Sequence, residues 1–197
     1  MSILTFFKNI IFGKRRNGLY IAHHSNGKLS SEQNYVNGKQ EGISRNYFLN
    51  GDLSSEVIFV NGKREGKEIS FWRPNTLRDL GFTGLEEEDP EKPEKRYEYN
   101  YVNGEKEGVQ KTFFHKINQL SNEYKIVNGK EEGESKSFHE NGILSSEGCY
   151  ENGLAVGWHK IYHKNGQIST EGKCHGHKYM FQGQQGLWKF YNEDGAL

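Results

Sequence analysis

The chain has 197 residues, of which 33% are hydrophobic and 26% are charged, and its mean hydropathy is −0.91. Equal numbers of basic and acidic residues give a formal net charge of zero, so bulk charge offers no support for a nucleic-acid partner. Two cysteines are too few for a disulfide framework and fit a reducing, cytoplasmic compartment. No apolar run reaches the ~18 residues of a membrane-spanning helix.

The first 17 residues, MSILTFFKNIIFGKRRN, have apolar residues near a 3.6-residue period and Ser2 as an N-cap, which predicts a short amphipathic helix. The main basic cluster follows the apolar stretch, and no small-residue cleavage site appears, so we interpret the segment as retained. One role is to cap the first edge of the domain that follows. The alternative is a weak interfacial anchor, peripheral to the inner membrane, that brings Lys8, Lys14, Arg15 and Arg16 to anionic lipid headgroups.

A repeat begins at Gly18, in which an aromatic residue follows an anchor glycine by five positions. Successive anchor glycines are 24, 24, 42, 25, 24 and 29 residues apart, so a period of 24 has one large and one small insertion. The copies are Gly42/Tyr47, Gly66/Phe71, Gly108/Phe113, Gly133/Phe138, Gly157/Tyr162 and Gly186/Tyr191, after a weaker Gly18/His23. We assign residues 18–197 to one domain of six and a half copies, with insertions at about 73–96 and 175–185.

Each unit carries two turn signals. The first is Asn-Gly at Asn26, Asn50, Asn141 and Asn165, and the second is Asn-Gly at Asn37, Asn61, Asn103, Asn128 and Asn152. Both residues tolerate positive φ, which predicts type I′ turns and two strands per unit. A single hairpin is marginal in water, so the hairpins should stack. The predicted fold is all-β, an elongated single-layer antiparallel sheet of about 13 strands, roughly 60 Å long at ~4.8 Å per strand.

The unit resembles the MORN-type repeats (membrane occupation and recognition nexus), most closely their bacterial variant, Y-x-N-G-K-x-x-G-x(4)-Y-x-x-N-G-x-L-x-x-E. The resemblance extends over about residues 18–195. It implies a curved sheet of hairpins and a non-catalytic module without a cofactor. Proteins of the variant class are often described as antitoxins or immunity proteins of bacterial toxin systems, whereas other MORN proteins are scaffolds or membrane-associated modules.

Residue types that recur in every copy are expected to form the framework. The aromatic column is expected to form the core. An acidic column comprises Glu32, Glu56, Glu98, Glu123, Glu147 and Glu171, and a basic column comprises Arg45, Lys111, Lys136, Lys160 and Lys189. The two columns are expected to interleave as cross-strand pairs, although the basic column could instead face anionic lipid or an acidic partner. Carboxylates ~10 Å apart suit neither a catalytic dyad nor a closed metal site.

Departures from the repeat are the candidate functional segments. Residues 73–96 contain all three prolines and an acidic block, Glu86, Glu87, Glu88 and Asp89, so this segment should loop out as a solvated insertion or as a partner-binding loop for a basic target. Residues 174–186 bring Cys174, His175 and His177 together. Their spacing alternates faces in a strand and lacks a second ligand pair, so no metal site is predicted.

The sequence contains no phosphate loop, nucleophile elbow or Cys/His dyad, and we predict a non-catalytic protein-binding module. Its expected partner is a toxin that the chain occludes, and the alternatives are a membrane scaffold or a zinc- or edge-mediated homodimer. The candidate contact residues outside the acidic block are Trp72, His139, Trp158, His163 and Trp188. The oligomeric state stays open.

Overall fold

The computed structural model describes residues 16–73, 93–177 and 188–196, and these form one antiparallel sheet. The strands are β1 (Gly18–His23), β2 (Leu29–Val36), β3 (Lys39–Gln40), β4 (Gly42–Tyr47), β5 (Leu53–Val60), β6 (Lys63–Phe71), β7 (Lys95–Val102), β8 (Glu105–Lys106), β9 (Gly108–Phe113), β10 (Leu120–Val127), β11 (Lys130–Glu131), β12 (Gly133–Phe138), β13 (Leu144–Glu151), β14 (Leu154–Tyr162), β15 (Ile168–His177) and β16 (Lys189–Phe190). Thirteen strands follow one another across the sheet in chain order, and the two-residue strands β3, β8 and β11 lie off this path. The predicted stack of hairpins is confirmed.

The second turn of each unit has the predicted geometry. In the first unit Val36 pairs with Lys39 across a two-residue loop, in which Asn37 has φ 50° and Gly38 has φ 83°. Positive φ at both loop residues defines the type I′ turn, whose twist matches that of the flanking strands. The same Asn-Gly geometry recurs at residues 61–62, 103–104, 128–129 and 152–153.

The first turn of each unit is not a type I′ turn, so that prediction is wrong. Between β1 and β2 the Gly27 amide donates to His24 O (3.0 Å), the His24 amide donates to Lys28 O (2.8 Å), and Gly27, unlike Asn26, has a positive φ. These are the features of a type I turn followed by a left-handed residue. Asn26 serves through its side chain instead, because its Oδ1 accepts from the Lys28 amide at 3.0 Å.

A bulge at the anchor glycine explains the three short strands. Strand β2 pairs first with β3 and then with β4, through the pairs Tyr35–Gln40 and Glu32–Arg45. Between these two pairs, the segment from β3 to β4 contains two residues more than the facing segment of β2. Gly42 lies in this bulge with φ 77°, and a Cβ there would meet nothing within 4 Å. The anchor position therefore requires glycine for its left-handed backbone and not for lack of space.

The two faces of the sheet differ in burial. The face that carries the acidic and basic columns is here called the ladder face, and strand alternation places every buried residue on the opposite face. The buried residues are Ser44, Val57, Glu68, Ser70, Tyr101, Gln110, Ala155, His159, Thr170, Gly172 and Cys174. The aromatic column that was expected to form the core lies on the ladder face and is only half-buried, because a single-layer sheet places no second layer over it.

On the opposite face, a large side chain of one strand packs over a small residue of the neighbouring strand. The side chain two positions after an anchor glycine packs over the residue that follows the acid of the preceding strand. A Cβ added to Gly148 would lie 1.9 Å from His159 Nδ1, and one added to Gly172 would lie 2.3 Å from Trp188 Cδ2. In the unit before these, a large Tyr124 is matched instead by a small Ser135.

The sheet continues directly from β6 to β7 across the position of the large insertion. Strands β6 and β7 pair directly, with Phe71 opposite Lys95, and the Trp72 amide donates to Glu94 O at 2.8 Å. Residues 74–92, which include the acidic block at 86–89, lie outside the described residues, and so do residues 1–15 of the predicted N-terminal helix.

Candidate functional site: the ladder face

The ladder face is crossed by one continuous row of residues in direct register. Across the thirteen strands the row reads Ile21, Glu32, Arg45, Glu56, Ile69, Glu98, Lys111, Glu123, Lys136, Glu147, Lys160, Glu171 and Lys189. Each acid therefore lies between two positions of the basic column, which confirms the predicted interleaving. The alternation removes the repulsion that a column of like charges would create.

Ion pairs form along this row. Arg45 Nε lies 2.7 Å from Glu56 Oε2, and Lys111 Nζ lies 2.8 Å from Glu123 Oε2. Hydrogen bonding to Glu123 raises the pKa of Lys111. Where Ile69 replaces a base, Lys95 lies 2.7 Å from Glu98, and this hydrogen bond holds the pKa of the carboxyl below its usual range. Such partly exposed pairs each contribute about 0.2–1 kcal/mol, so the ladder fixes register more than it adds stability.

Tyrosines of the aromatic column are tied to the acids of the row. The hydroxyl groups of Tyr47 and Tyr162 donate to Glu32 at 2.7 Å and to Glu147 at 2.6 Å. Burial, followed by the hydrogen bond to Glu147, raises the pKa of Tyr162 to about 12. The phenols therefore remain protonated donors at neutral pH, and each donates to one carboxylate oxygen of the row.

A second acidic column, missed in the sequence, joins neighbouring copies. The residue before the anchor glycine accepts a hydrogen bond from the amide of the next Asn-Gly turn: Glu41 from Asn61 (2.8 Å), Glu65 from Asn103 (2.8 Å), Glu107 from Asn128 (3.0 Å) and Glu132 from Asn152 (2.9 Å). These bonds lock each turn to the copy before it. The signal was present, because an acid precedes the anchor glycine in four copies.

The predicted contact residues His139, His163 and Trp72 occupy a column six positions after the anchor glycine. His139 Nε2 bonds Tyr162 O at 2.9 Å, His163 Nε2 bonds Tyr191 O at 3.0 Å, and Trp72 Nε1 donates to Phe113 O at 3.4 Å. In each case the acceptor is the aromatic-column carbonyl of the next copy. These side chains therefore have a framework role, whatever else they contact.

Trp158 differs from the other two tryptophans because it projects from the ladder face. It is 53% exposed, and Lys173, directly opposite on β15, places its ammonium 5.4 Å from the ring centroid. Beside it lies an open depression of about 210 Å³. Its lining includes Glu134, Lys136, Glu147, Cys149 and Lys160. An aromatic side chain beside charges of both signs is a suitable anchor for a protein partner.

Of the remaining candidate residues, the structure describes Trp188, which is half-buried, and Arg16, which is exposed. Trp188, directly before β16, packs on Gly172 of β15. Arg16 lies 5.5 Å from the centroids of both the Tyr20 and Tyr35 rings. Glu86, Glu87, Glu88, Asp89, Lys8, Lys14 and Arg15 lie outside the described residues.

In the described residues, the Cys/His segment near the end of the chain forms no metal centre. Cys174 is buried on the opposite face, where burial raises the pKa of its thiol, and His175 beside it is exposed. Within residues 16–73, 93–177 and 188–196, no three Cys, His, Asp or Glu residues are grouped to hold a metal ion. Nor does that part of the chain include a helix long and apolar enough to cross a membrane.

Comparison with protein families matches three parts of the chain to the MORN repeat variant: residues 16–37, 40–61 and 131–152. Each matched segment spans the first turn of a unit and ends at an Asn-Gly turn, as a repeated hairpin requires. Three repeats of the chain are therefore of the MORN type. MORN repeats are generally non-enzymatic modules. Comparison with curated proteins gave no match.

Proposed function

We propose that this MORN-type repeat protein is a non-catalytic protein-binding module and that its ladder face docks a protein partner around Trp158. The observation that carries the proposal is the exposure of Trp158 on β14, a strand that is paired with β13 on one side and with β15 on the other. A large aromatic side chain held on a rigid surface contributes to binding at a low cost in conformational entropy. The charges around the depression supply complementarity and specificity.

The finer part of the proposal is that the partner is a bacterial toxin and that the chain acts as its antitoxin or immunity protein by occluding the toxin's active site. Support comes from the resemblance to the MORN variant class and from an open single-layer sheet, which presents a broad face. The acidic block at residues 86–89 remains a predicted second contact with a basic target. A membrane scaffold has weaker support, because each cation of the basic column lies opposite a carboxylate.

The test is capture from native lysate with the full chain and with the Trp158→Ala variant. Val109→Ala is the matched control, because Val109 occupies the equivalent position after its anchor glycine and is also exposed on the ladder face. A captured protein is then purified and its affinity measured for all three chains. Loss of an anchor residue costs about 2–4 kcal/mol, so Trp158→Ala should weaken binding roughly 30- to 1,000-fold while Val109→Ala stays near wild type.

The toxin assignment is tested separately by expressing the captured partner in a bacterial host. Growth should stop with the partner alone, resume with the wild-type chain and remain blocked with Trp158→Ala. A partner that binds equally well to Trp158→Ala would refute the proposed site. A partner that is harmless to the host would refute the toxin assignment and leave the binding module.

A further inference from the structure

The Asn-Gly turns of the sheet are chemically labile as well as structural. The backbone nitrogen of the glycine can attack Cγ of the asparagine side chain and close a succinimide ring. The Cγ–Nδ2 bond then breaks, Nδ2 takes up a proton and leaves as ammonia, and water opens the ring to aspartate or isoaspartate. This reaction makes asparagine thermolabile, and glycine favours it because no side chain hinders the attack. In a folded chain the turn must first open, since the glycine amide has to lose its proton to solvent and rotate towards Cγ.

One of these turns is held less firmly than the rest. In the other Asn-Gly turns between described strands, the glycine amide donates to a backbone carbonyl at 2.8–3.0 Å: residues 26–27, 37–38, 50–51, 61–62, 103–104, 141–142, 152–153 and 165–166. The Gly129 amide, in an exposed turn, donates to no backbone carbonyl of the described residues. No bond of this kind therefore has to break before its peptide plane rotates and its proton is lost.

Packing between neighbouring turns shows the same exception. A Cβ added to the turn glycine at residue 62, 104 or 153 would lie 3.5–3.7 Å from a lysine Cβ of the preceding second turn. One added to Gly129 would meet nothing within 4 Å. The bond from the Asn128 amide to Glu107 is present, but at 3.0 Å it is the longest of the four bonds of that kind. Among these second turns, the one at residues 128–129 is thus the least tied to the copy before it.

First turns protect their asparagines in a further way. Asn141 Oδ1 accepts from the Ile143 amide at 3.1 Å, and its Nδ2 donates to Lys164 O at 2.8 Å. Asn165 is held by the equivalent two bonds. Both polar atoms of the reacting amide are therefore held by bonds that must break first, whereas no such pair of bonds within the described residues holds the exposed Asn128 side chain.

We propose that Asn128 is a site of spontaneous deamidation, converted to aspartate or isoaspartate faster than the asparagine of any other Asn-Gly turn in the described sheet. The local sequence does not single it out, because Val-Asn-Gly-Lys is identical at residues 36–39, 60–63 and 127–130. The selectivity comes from the ties between copies. The proposal concerns a covalent modification and does not depend on the function proposed above.

The product weakens the bond to Glu107. Aspartate or isoaspartate at position 128 adds a carboxylate beside Glu107, the acceptor of the position-128 amide, and like charges repel. Isoaspartate also adds a methylene to the backbone of a two-residue loop that Val127 and Lys130 close. The type I′ geometry, with φ 50° at Asn128 and 76° at Gly129, accommodates two ordinary residues. Deamidation therefore loosens the turn from the copy before it.

Peptide mapping of the full chain, aged in mildly alkaline buffer in which circular dichroism shows it folded, tests the selectivity. Tandem mass spectrometry with electron-transfer dissociation measures asparagine, aspartate and isoaspartate at each turn. Conversion at Asn128 should be about two- to tenfold faster than at Asn37 and Asn61, the effect of one net hydrogen bond. In urea, where the ties are absent, the three rates should be equal. Equal rates in the folded chain, or a lead of Asn128 that persists in urea, would overturn the proposal.

A single variant tests the cause. Glu41→Ala removes the carboxylate that accepts from the Asn61 amide at 2.8 Å, in a copy distant from Asn128. It should raise the rate at Asn61 towards that at Asn128, while Asn128 keeps its wild-type rate as the internal control. An unchanged rate at Asn61 would show that the ties between copies do not govern the reaction. An equal rise at both asparagines would mean that the reaction follows global unfolding, and either result would refute the proposal.

Discussion

Substitution of Gly148 by alanine should destabilise the sheet through a single clash on its opposite face. The new Cβ would lie 1.9 Å from Nδ1 and 2.2 Å from Cε1 of the His159 ring, and that ring is fully buried with its Nε2 bonded to Cys149 O at 3.1 Å. The ring cannot yield without breaking this bond or displacing Tyr150, whose ring centroid is 5.6 Å away. Overpacking of this kind costs about 1–3 kcal/mol.

The assay is chemical unfolding followed by circular dichroism, in the wild-type and His159→Ser backgrounds. His159→Ser removes the clashing ring, so Gly148→Ala should cost roughly 0.5 kcal/mol or less there, which gives a coupling free energy of about 1–2 kcal/mol. Gly133→Ala is the contrasting control. Gly133 has a φ of 79°, and a Cβ added to it would meet nothing within 4 Å, so alanine there brings backbone strain of about 1–2 kcal/mol that no second substitution relieves.

The pairing of a large side chain with a small one on the neighbouring strand leads to a second prediction. The preceding unit fills this space with Tyr124 and Ser135, so the double variant Gly148→Tyr with His159→Ser should be closer to wild-type stability than either single variant. Equal costs of Gly148→Ala in both backgrounds, or a double variant no better than its worse parent, would show that the two side chains do not share one space.

Three further outcomes are expected. Burial lowers the folded-state pKa of His159. Its contribution to stability is therefore complete above the unfolded pKa of about 6.5 and is lost as pH falls below that value, with a slope of at most about 1.4 kcal/mol per pH unit. His159→Ser should remove this slope, and an unchanged slope in that variant would contradict the assignment. Glu132→Ala should cost about 1–2 kcal/mol and speed hydrogen exchange at the Asn152 amide, whereas Glu134→Ala, at a largely exposed position, should do neither. Because the ladder pairs are partly exposed, 1 M NaCl should lower the unfolding free energy by no more than a few kcal/mol in total, and a much larger salt effect would mean that the ladder drives stability.

The fold was predictable because turn-forming residues recur from copy to copy. An Asn-Gly pair at a fixed period specifies a hairpin locally, and repetition then favours side-by-side stacking, because a single hairpin is marginal in water. The error at the first turn came from treating both Asn-Gly pairs alike. Asn26 and Asn37 have the same neighbour, yet the strand register closes a two-residue loop around Asn37 and a longer one around Asn26.

The buried face was much harder to predict. It depends on the bulge at the anchor glycine, which adds two residues to one strand and shifts its register with the neighbouring strand, and on pairs such as Gly148 and His159 that are complementary in size but not alike between copies. Variation from copy to copy was interpreted as a sign of function at His139 and His163. The structure shows that a histidine and a tryptophan can fill one framework position, because each offers a ring nitrogen to the next copy's carbonyl.

Strand alternation lets one repeat carry a packed face and a variable face at once. Trp158 and His159 are consecutive, but strand alternation sends the first to the ladder face and the second into the buried face. The position of Trp158 is occupied in other copies by Ile43, Lys67, Val109 and Glu134, and the register of the ladder is the same in all of them. Because this position lies beside the ladder and outside the packed face, it can change without disturbing the fold. The packing of the sheet does not fix the residue there, which is why Trp158, and not the recurrent acids, is the side chain from which binding is best inferred.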